Sequence, residues 1–279
     1  MEKEEPIDLE YPLLNDYVFK FVFSHEKLHQ ELLELFEEFI NESISFNIDH
    51  IHAQELLMAP HYNLKDYYGD VLSVTKDDTI VSLEVYNRFS ENEYKKSLCY
   101  IARIYGNQLK TKEPYSNAKK VVGISLFNRK IRFNMDNVAE EYKLTEQITR
   151  IKTNDEMILF LIDIDKLAKF TYNKCERLRN LAIILKMRWL KDMEKYIENK
   201  EDEMLEQTVA YVKEFLSNPA NHNLIDHHAS EVANAKIEGI DETKLAIIKR
   251  MQAKNYSKKE IMSITGINNS EYDKLLQMS

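Results

Sequence analysis

The chain has 279 residues, of which 44% are hydrophobic and 30% charged, with a formal net charge of −9. This composition is typical of a globular protein, excludes an extended basic coat and, with only 5 Gly and 5 Pro, favours long helices. No apolar run approaches the ~20 residues of a membrane span, and we expect no secretory signal in the acidic segment MEKEEPIDLE. Cys99 and Cys175 lack a CxxC partner, so we expect no disulfide framework and a reducing, cytoplasmic location.

The first predicted element is a helix over residues 15–40. Asn15 or Asp16 can cap its start with a side-chain oxygen. Apolar residues then recur at the helical spacing on one face: Phe19, Val22, Phe23, Leu28, Leu32, Leu35, Phe36 and Phe39. Residues 44–58, which are rich in isoleucine, are predicted to contain a first strand.

Two further strands are predicted over residues 67–75 and 79–86. Apolar residues alternate with polar ones along the second strand, which is the period of a strand with one buried face. The charged triplet at residues 76–78 is typical of a turn. Because the connection is short, the two strands are predicted to form an antiparallel hairpin.

The pattern changes to a helical period over residues 91–110. The predicted apolar face consists of Leu98, Ile101, Ala102, Tyr105 and Leu109. Residues 119–128 then predict a strand apolar enough to be central in a sheet, and another strand is predicted within residues 157–164. This order of elements predicts a mixed α/β layer with a helix crossing one face of the sheet.

From about residue 172 the pattern is helical to the end of the sequence. The predicted helical stretches are residues 175–198, 203–217, 257–265 and 270–276. Gly266 separates the last two, and Ser257 with Glu260 has the pattern of a capping box. We therefore divide the chain into an α/β core, residues 1–172, and an all-helical region, residues 173–279, which ends in a helix-turn-helix-like tail.

Two acidic residues of the predicted hairpin are candidates for a metal site. Asp70 lies near the start of one strand and Glu84 near the end of the next, so the two can lie side by side. Converging carboxylates suit a hard cation such as Mg²⁺, which activates water and stabilises charge on a phosphate. Glu84 shares the more polar strand face with Ser82 and Tyr86. The alternative is that both acids are ordinary strand and turn carboxylates, since this spacing also occurs without a metal.

A series of segments follows one recognisable order along the chain. They are Asn15-Asp16-x-x-Phe19-Lys20-x-x-Phe23, Gly69-Asp70-Val71-Leu72, Ser82-Leu83-Glu84-Val85-Tyr86, residues 98–105 (LCYIARIY) with Gln108-Leu109, residues 120–124 and residues 160–164. In this order they are similar to the NDxxFKxxF signature, the LDV strand, the IExQ strand, the YYxxRLYxxQL helix and the later strands of the PD-(D/E)XK nuclease family transposases. The resemblance covers most of residues 14–195, and the C-terminal tail is also similar to that of the family.

The resemblance implies a restriction-endonuclease-like α/β fold, with a mixed sheet core flanked by helices. It also implies that Asp70 and Glu84 bind Mg²⁺ or Mn²⁺ and that the side chain at position 86 orients the attacking water. The family has Gln or Lys at that position, whereas this chain has Tyr86, whose phenol carries no positive charge near pH 7. Gly69 likewise replaces the Leu of the family's strand.

The activity implied by the resemblance is metal-dependent DNA endonuclease chemistry in recombination or mobile-element biology, with DNA as the partner and no membrane. Arg103 in the predicted helix and Lys258 and Lys259 in the mildly basic tail are candidate DNA contacts. Lys96 is a further candidate, with a solvated helix face as its alternative. Tyr86 leaves open a second function, a degenerate nuclease fold that acts as a DNA-binding or regulatory protein. A tail that only binds protein is a third, and homo-oligomer formation also stays open.

Overall fold

A computed structural model describes most of the chain in two compact units. The described residues are 6–40, 48–53, 56–57, 67–68, 71–87, 89–128, 137–144, 156–170 and 175–277. The first unit comprises residues 1–218 and the second residues 219–279. The sequence-based boundary at residue 172 therefore falls inside the first unit, because helices that follow this residue pack against the N-terminal helices. Asp70 and Gly69 lie outside the described residues.

The N-terminal segment forms two helices where the sequence predicts one, α1 (Asp16–Phe23) and α2 (Glu26–Ile40). Asn15 caps α1 as predicted, and its Oδ1 accepts hydrogen bonds from two backbone amides of the first turn. The interruption has a local cause: the Ser24 hydroxyl donates to the Phe21 carbonyl oxygen at 2.9 Å, and the ring of His25 lies 2.9 Å from the same oxygen. The predicted apolar face is confirmed, since most of its side chains are fully buried and Phe39 is half-buried.

Eight strands are described. They are β1 (Ile48–Ala53), β2 (Leu56–Leu57), β3 (Tyr67–Tyr68), β4 (Val71–Thr75), β5 (Ile80–Tyr86), β6 (Val121–Phe127), β7 (Ala139–Lys143) and β8 (Met157–Asp163). Six of them form one sheet in the order β1-β4-β5-β6-β8-β7, and β2 pairs with β3 separately. The pairs β5–β6 and β6–β8 are parallel, whereas the outer pairs are antiparallel. The mixed sheet and the central position of β6 are as predicted, but β7 was missed.

The predicted hairpin is confirmed. In the antiparallel pair of β4 and β5, Val71 lies opposite Leu83 and Leu72 opposite Ser82. The charged triplet forms the turn: Asp78 has a φ of 66°, a conformation that Asp tolerates, and its carboxylate pairs with Lys119. The hairpin register therefore depends on local turn chemistry as well as on the apolar alternation.

The two faces of the sheet are covered by different helices: α3 (Glu91–Gly106), which follows β5, packs against one face, and α2 packs against the other. Helix α3 connects β5 to the parallel strand β6, and Ile101 clusters with Leu72 and Phe127 of the sheet. Ser73, the next residue along β4, points to the opposite face and contacts His29 of α2, with 3.0 Å between its Oγ and the histidine Nε2. This layering confirms the predicted crossover.

The buried face of α3 differs from the predicted one. Ser97, Tyr100, Ile101 and Ile104 are buried, whereas Ala102, placed on the apolar face by its spacing, is exposed. The prediction weighted apolar residues only. Ser97 faces the sheet because its hydroxyl has polar partners there, which a hydrophobic pattern does not record.

Gly123 of β6 determines how closely α3 approaches the sheet. A Cβ at this position would lie 2.5 Å from Ile101 Cγ2 and 3.1 Å from Leu159 Cδ1. We expect Gly123→Ala to lower the free energy of unfolding by about 1–3 kcal/mol, because it overpacks a filled core. Gly106→Ala is the control, since an added Cβ meets no described atom within 4 Å, and it should be neutral or stabilising by up to about 1 kcal/mol. Urea unfolding of both variants measures this, and equal stabilities would contradict the close packing.

The remaining helices are distributed over both units. The first unit contains α4 (Ile164–Leu167), α5 (Glu176–Leu185), α6 (Leu190–Ile197) and α7 (Glu203–Leu216), and the second contains α8 (Pro219–Ala253), α9 (Lys258–Thr265) and α10 (Asn269–Gln277). The predicted Ser257–Glu260 capping box is present, and Gly266 ends α9 with a φ of 71°. The second unit has its own apolar cluster, which includes Ile248, Ile261 and Leu275. Among the described residues, no helix is both long and apolar enough to cross a membrane.

Candidate active site

One face of β5 carries a row of buried polar side chains beneath α3. Ser82, Glu84 and Tyr86 alternate along this strand, so they project to the same face. Opposite them on the parallel strand β6 lie Gly123, Ser125 and Phe127. Serine and glycine in the middle of a central strand leave room for polar groups that a fully apolar sheet would exclude.

Glu84 is the acid at the centre of this row. It is 2% exposed, and its Oε1 accepts a hydrogen bond from the Ser82 hydroxyl at 3.3 Å. A carboxylate in such a place is costly unless hydrogen bonds or a cation stabilise it. The sequence-based expectation that Glu84 lies on the polar strand face is therefore confirmed, although the strand is far more buried than its polarity indicates.

Tyr86 is packed into the core. It is 7% exposed, and its ring stacks on that of Phe127 with 4.8 Å between centroids and 11° between planes. Its phenol oxygen accepts a hydrogen bond from the Ser97 hydroxyl at 3.3 Å, and Ser97 in turn accepts one from Ser125 at 3.0 Å. This network fixes the ring between β5, β6 and α3. The role of Tyr86 beside a metal ion stays a prediction, and the contacts described here are those of a packing residue.

Asp70 lies outside the described residues, so its distance from Glu84 stays a prediction. Within the part of the chain that the structure describes, no group of three or more His, Cys, Asp or Glu side chains could hold a metal ion. The described pairing ends one residue short of the two predicted ligands, at Val71 and Leu83.

The candidate DNA contacts differ in their surroundings. Arg103 is half-buried on α3. Lys258, in the second unit, has its ammonium 2.6 Å from Asp273 Oδ1 and 4.9 Å from the centroid of the Tyr272 ring. Lys259 is exposed. Because Asp273 offsets the charge of Lys258, Lys259 is the stronger candidate of these two tail residues for a phosphate contact.

Several features of the site were not predicted from the sequence. Ser97 and Ser125, which connect Tyr86 to α3 and β6, come from segments separated along the chain. The described pocket of about 390 Å³ lies elsewhere, between α2 and the β7–β8 edge, and its wall includes Phe39 and Phe160. Its described lining contains none of the predicted site residues. The alternation along β5 is the signal that the sequence offers here, and it places Ser82 on the same strand face as Glu84.

The fold is that of a restriction-endonuclease-like α/β nuclease. Its features are a mixed sheet that contains a hairpin, a buried glutamate on the second strand of that hairpin, and a helix that crosses to a parallel strand. The family model of the PD-(D/E)XK nuclease family transposases matches residues 13–231, which is most of the chain, and the protein belongs to this family. The family and the fold predicted from the sequence are thereby confirmed. Comparisons with curated proteins and with solved structures find no match.

Proposed function

We propose that the protein is a metal-dependent DNA endonuclease serving recombination or mobile elements, with Asp70 and Glu84 as the ligands of Mg²⁺ or Mn²⁺. The observation that supports this proposal best is the burial of Glu84 in a central strand of the sheet. The protein also belongs to a family whose name associates it with nucleases and transposition. The hairpin register adds to this support. One further step of the pairing beyond Val71 and Leu83 would bring position 70 opposite Glu84.

The chemistry of the described groups suits a hard cation. Glu84 offers carboxylate oxygens, and two hydroxyl oxygens lie near it: Ser125 is opposite Glu84 on β6, and Ser82 is two residues away along β5. Mg²⁺ and Mn²⁺ prefer oxygen ligands of this kind and retain several waters. A bound cation would supply an activated water and would stabilise negative charge on the phosphate.

The chain's own residues would prepare this site. Ser82 holds the Glu84 carboxylate by its hydrogen bond, which limits the orientations of that side chain. Tyr86, Ser97 and Ser125 connect β5, β6 and α3 and keep the strand rigid beside the reacting phosphate. In hydrolysis, the oxygen of water bonds to phosphorus, the bond from phosphorus to the leaving oxygen breaks, and that oxygen takes up a proton.

A degenerate nuclease fold that only binds DNA is the second candidate function. It is favoured by the packing of Tyr86, because a ring stacked on Phe127 offers no amide or cation to the attacking water. The two candidates make opposite predictions for catalysis, although both need DNA as the partner.

Supercoiled plasmid incubated with the purified protein tests the proposal. The expected result is conversion to open-circular and linear DNA with Mg²⁺ or Mn²⁺ and none with EDTA. Retarded migration without cleavage in either metal would support the binding-protein alternative. If the protein neither cleaves nor binds the plasmid, both candidate functions are contradicted.

A further inference from the structure

A cation lies beside the position where the family's Gln or Lys is missing. Lys96 of α3 has its Nζ 5.2 Å from the centroid of the Tyr86 ring and 5.1 Å from that of Tyr100. Both tyrosines are buried, and Lys96 is half-buried. The ammonium therefore lies against two aromatic rings, one of which belongs to the same strand face as Glu84.

Lys96 differs from its neighbour Lys95 in its charged surroundings. The exposed Lys95 Nζ lies 2.7 Å from Glu91 Oε1, as an ordinary surface ion pair on the helix. Within the described part of the chain, no carboxylate lies within 4 Å of the Lys96 ammonium, whose contacts are the two rings. Aromatic faces attract a cation but do not neutralise it. A partly desolvated ammonium of this kind gains most from an anionic ligand.

The Lys96 ammonium lies over the ring of Tyr86, the neighbour of Glu84 on the same strand face. Glu84 and Tyr86 are two residues apart on one strand, a separation of roughly 7 Å. The four-carbon stem of lysine is flexible, so we infer that the ammonium can turn from the tyrosine rings toward a phosphate bound on the Glu84 side of the strand. The ring beneath the ammonium is itself fixed, because Tyr86 stacks on Phe127.

We propose that Lys96 contacts the scissile phosphate of bound DNA and supplies the positive charge that position 86 lacks. This inference rests on the proposed endonuclease function. The Lys96 ammonium stabilises negative charge on the non-bridging phosphate oxygens as the water oxygen bonds to phosphorus and the leaving oxygen departs with a proton. Tyr86 and Tyr100 are positioning residues, because they hold the ammonium and do not touch the phosphate.

Lys96→Gln and its matched control Lys95→Gln test this assignment by plasmid nicking. Lys96→Gln should lower the Mg²⁺-dependent rate by on the order of 10²-fold, because one preorganised charge at the transition state is lost. Lys95→Gln should stay within about twofold of wild type, since an exposed ion pair contributes little. Calorimetric titration with Mg²⁺ should be the same for Lys96→Gln and wild type, because Lys96 is not a ligand.

Binding of a short DNA duplex in EDTA provides a second readout that does not depend on catalysis. Fluorescence anisotropy at several salt concentrations should show a salt slope smaller by about one unit for Lys96→Gln and unchanged for Lys95→Gln. If wild type nicks plasmid but the two variants behave alike in both assays, the role of Lys96 is wrong and the endonuclease proposal stands. If wild type does not nick but the slope still falls, the endonuclease proposal fails and the phosphate contact stands. Absence of any DNA binding by wild type would overturn the contact itself.

Discussion

Glu84→Gln should lower the rate of Mg²⁺-dependent plasmid nicking by about 10²–10⁴-fold, the range for a group that acts directly in catalysis. Glutamine has nearly the same shape and can still accept the hydrogen bond from Ser82, but it lacks the negative charge that holds a divalent cation. The loss would therefore come from charge rather than from shape. Initial rates of nicking, with circular dichroism to establish that the variant is folded, measure it.

Glu91→Gln is the matched control for this substitution. Glu91 is exposed at the start of α3 and pairs with Lys95 on the surface, so the same change of glutamate to glutamine should leave the nicking rate within about twofold of wild type. A Glu84→Gln variant that cuts as fast as Glu91→Gln would exclude Glu84 as a ligand. Loss of activity in both would indicate an effect of overall charge.

The second large expected effect is a loss of stability in acid that depends on His29. This histidine is fully buried between α2 and β4, and desolvation lowers its pKa from 6.5 to about 4. Because burial opposes protonation of His29 in the folded state, the unfolded state binds this proton more tightly. Below pH 6.5, protonation of the histidine therefore favours unfolding. The stabilising contribution of neutral His29 is therefore fully present above pH 6.5 and is lost as the pH falls toward 4.

The contribution of His29 to this loss of stability can be isolated with the variant His29→Gln, whose amide can still reach Ser73. Between pH 7 and pH 4, the free energy of unfolding of wild type should fall by about 3 kcal/mol more than that of the variant. Urea unfolding at both pH values measures the difference. Between pH 7 and pH 8 the free energies of unfolding of the two proteins should differ by a constant amount, because histidine is then largely neutral in both the folded and the unfolded state. Parallel curves down to pH 4 would show that His29 is not the responsible group.

Much of the fold could be predicted from the sequence because its signals are local. The alternation of Val81, Leu83 and Val85 identified β5, and the charged triplet before it fixed the turn. Strand β7 gave no such signal, because its sequence AEEYK lies at the sheet edge and is only partly buried. The interruption between α1 and α2 was also missed, because it depends on the side chains of Ser24 and His25 bonding to backbone oxygens.

The candidate site shows a different limit of sequence reasoning. The parity of the strand placed Glu84 and Tyr86 on one face, and the structure confirms this. Parity could not show that Tyr86 is buried against Phe127, since the stacking partner belongs to a strand that becomes adjacent only in the folded chain. The position of Lys96 over Tyr86 was hidden for the same reason, because it depends on the rotation of α3 over the sheet.

Calorimetric titration with Mg²⁺ or Mn²⁺ tests the central proposal, a metal ion shared by Asp70 and Glu84, most directly. Wild type should bind the ion saturably, and Asp70→Asn and Glu84→Gln should each abolish the binding. Without metal, Asp70→Asn should melt at the same temperature as wild type or higher, because one of two close like charges is removed. Asp78→Asn is the matched control, since this aspartate lies in the hairpin turn and pairs with Lys119, and it should bind the ion as wild type does. Unchanged binding by Asp70→Asn would contradict the proposed site.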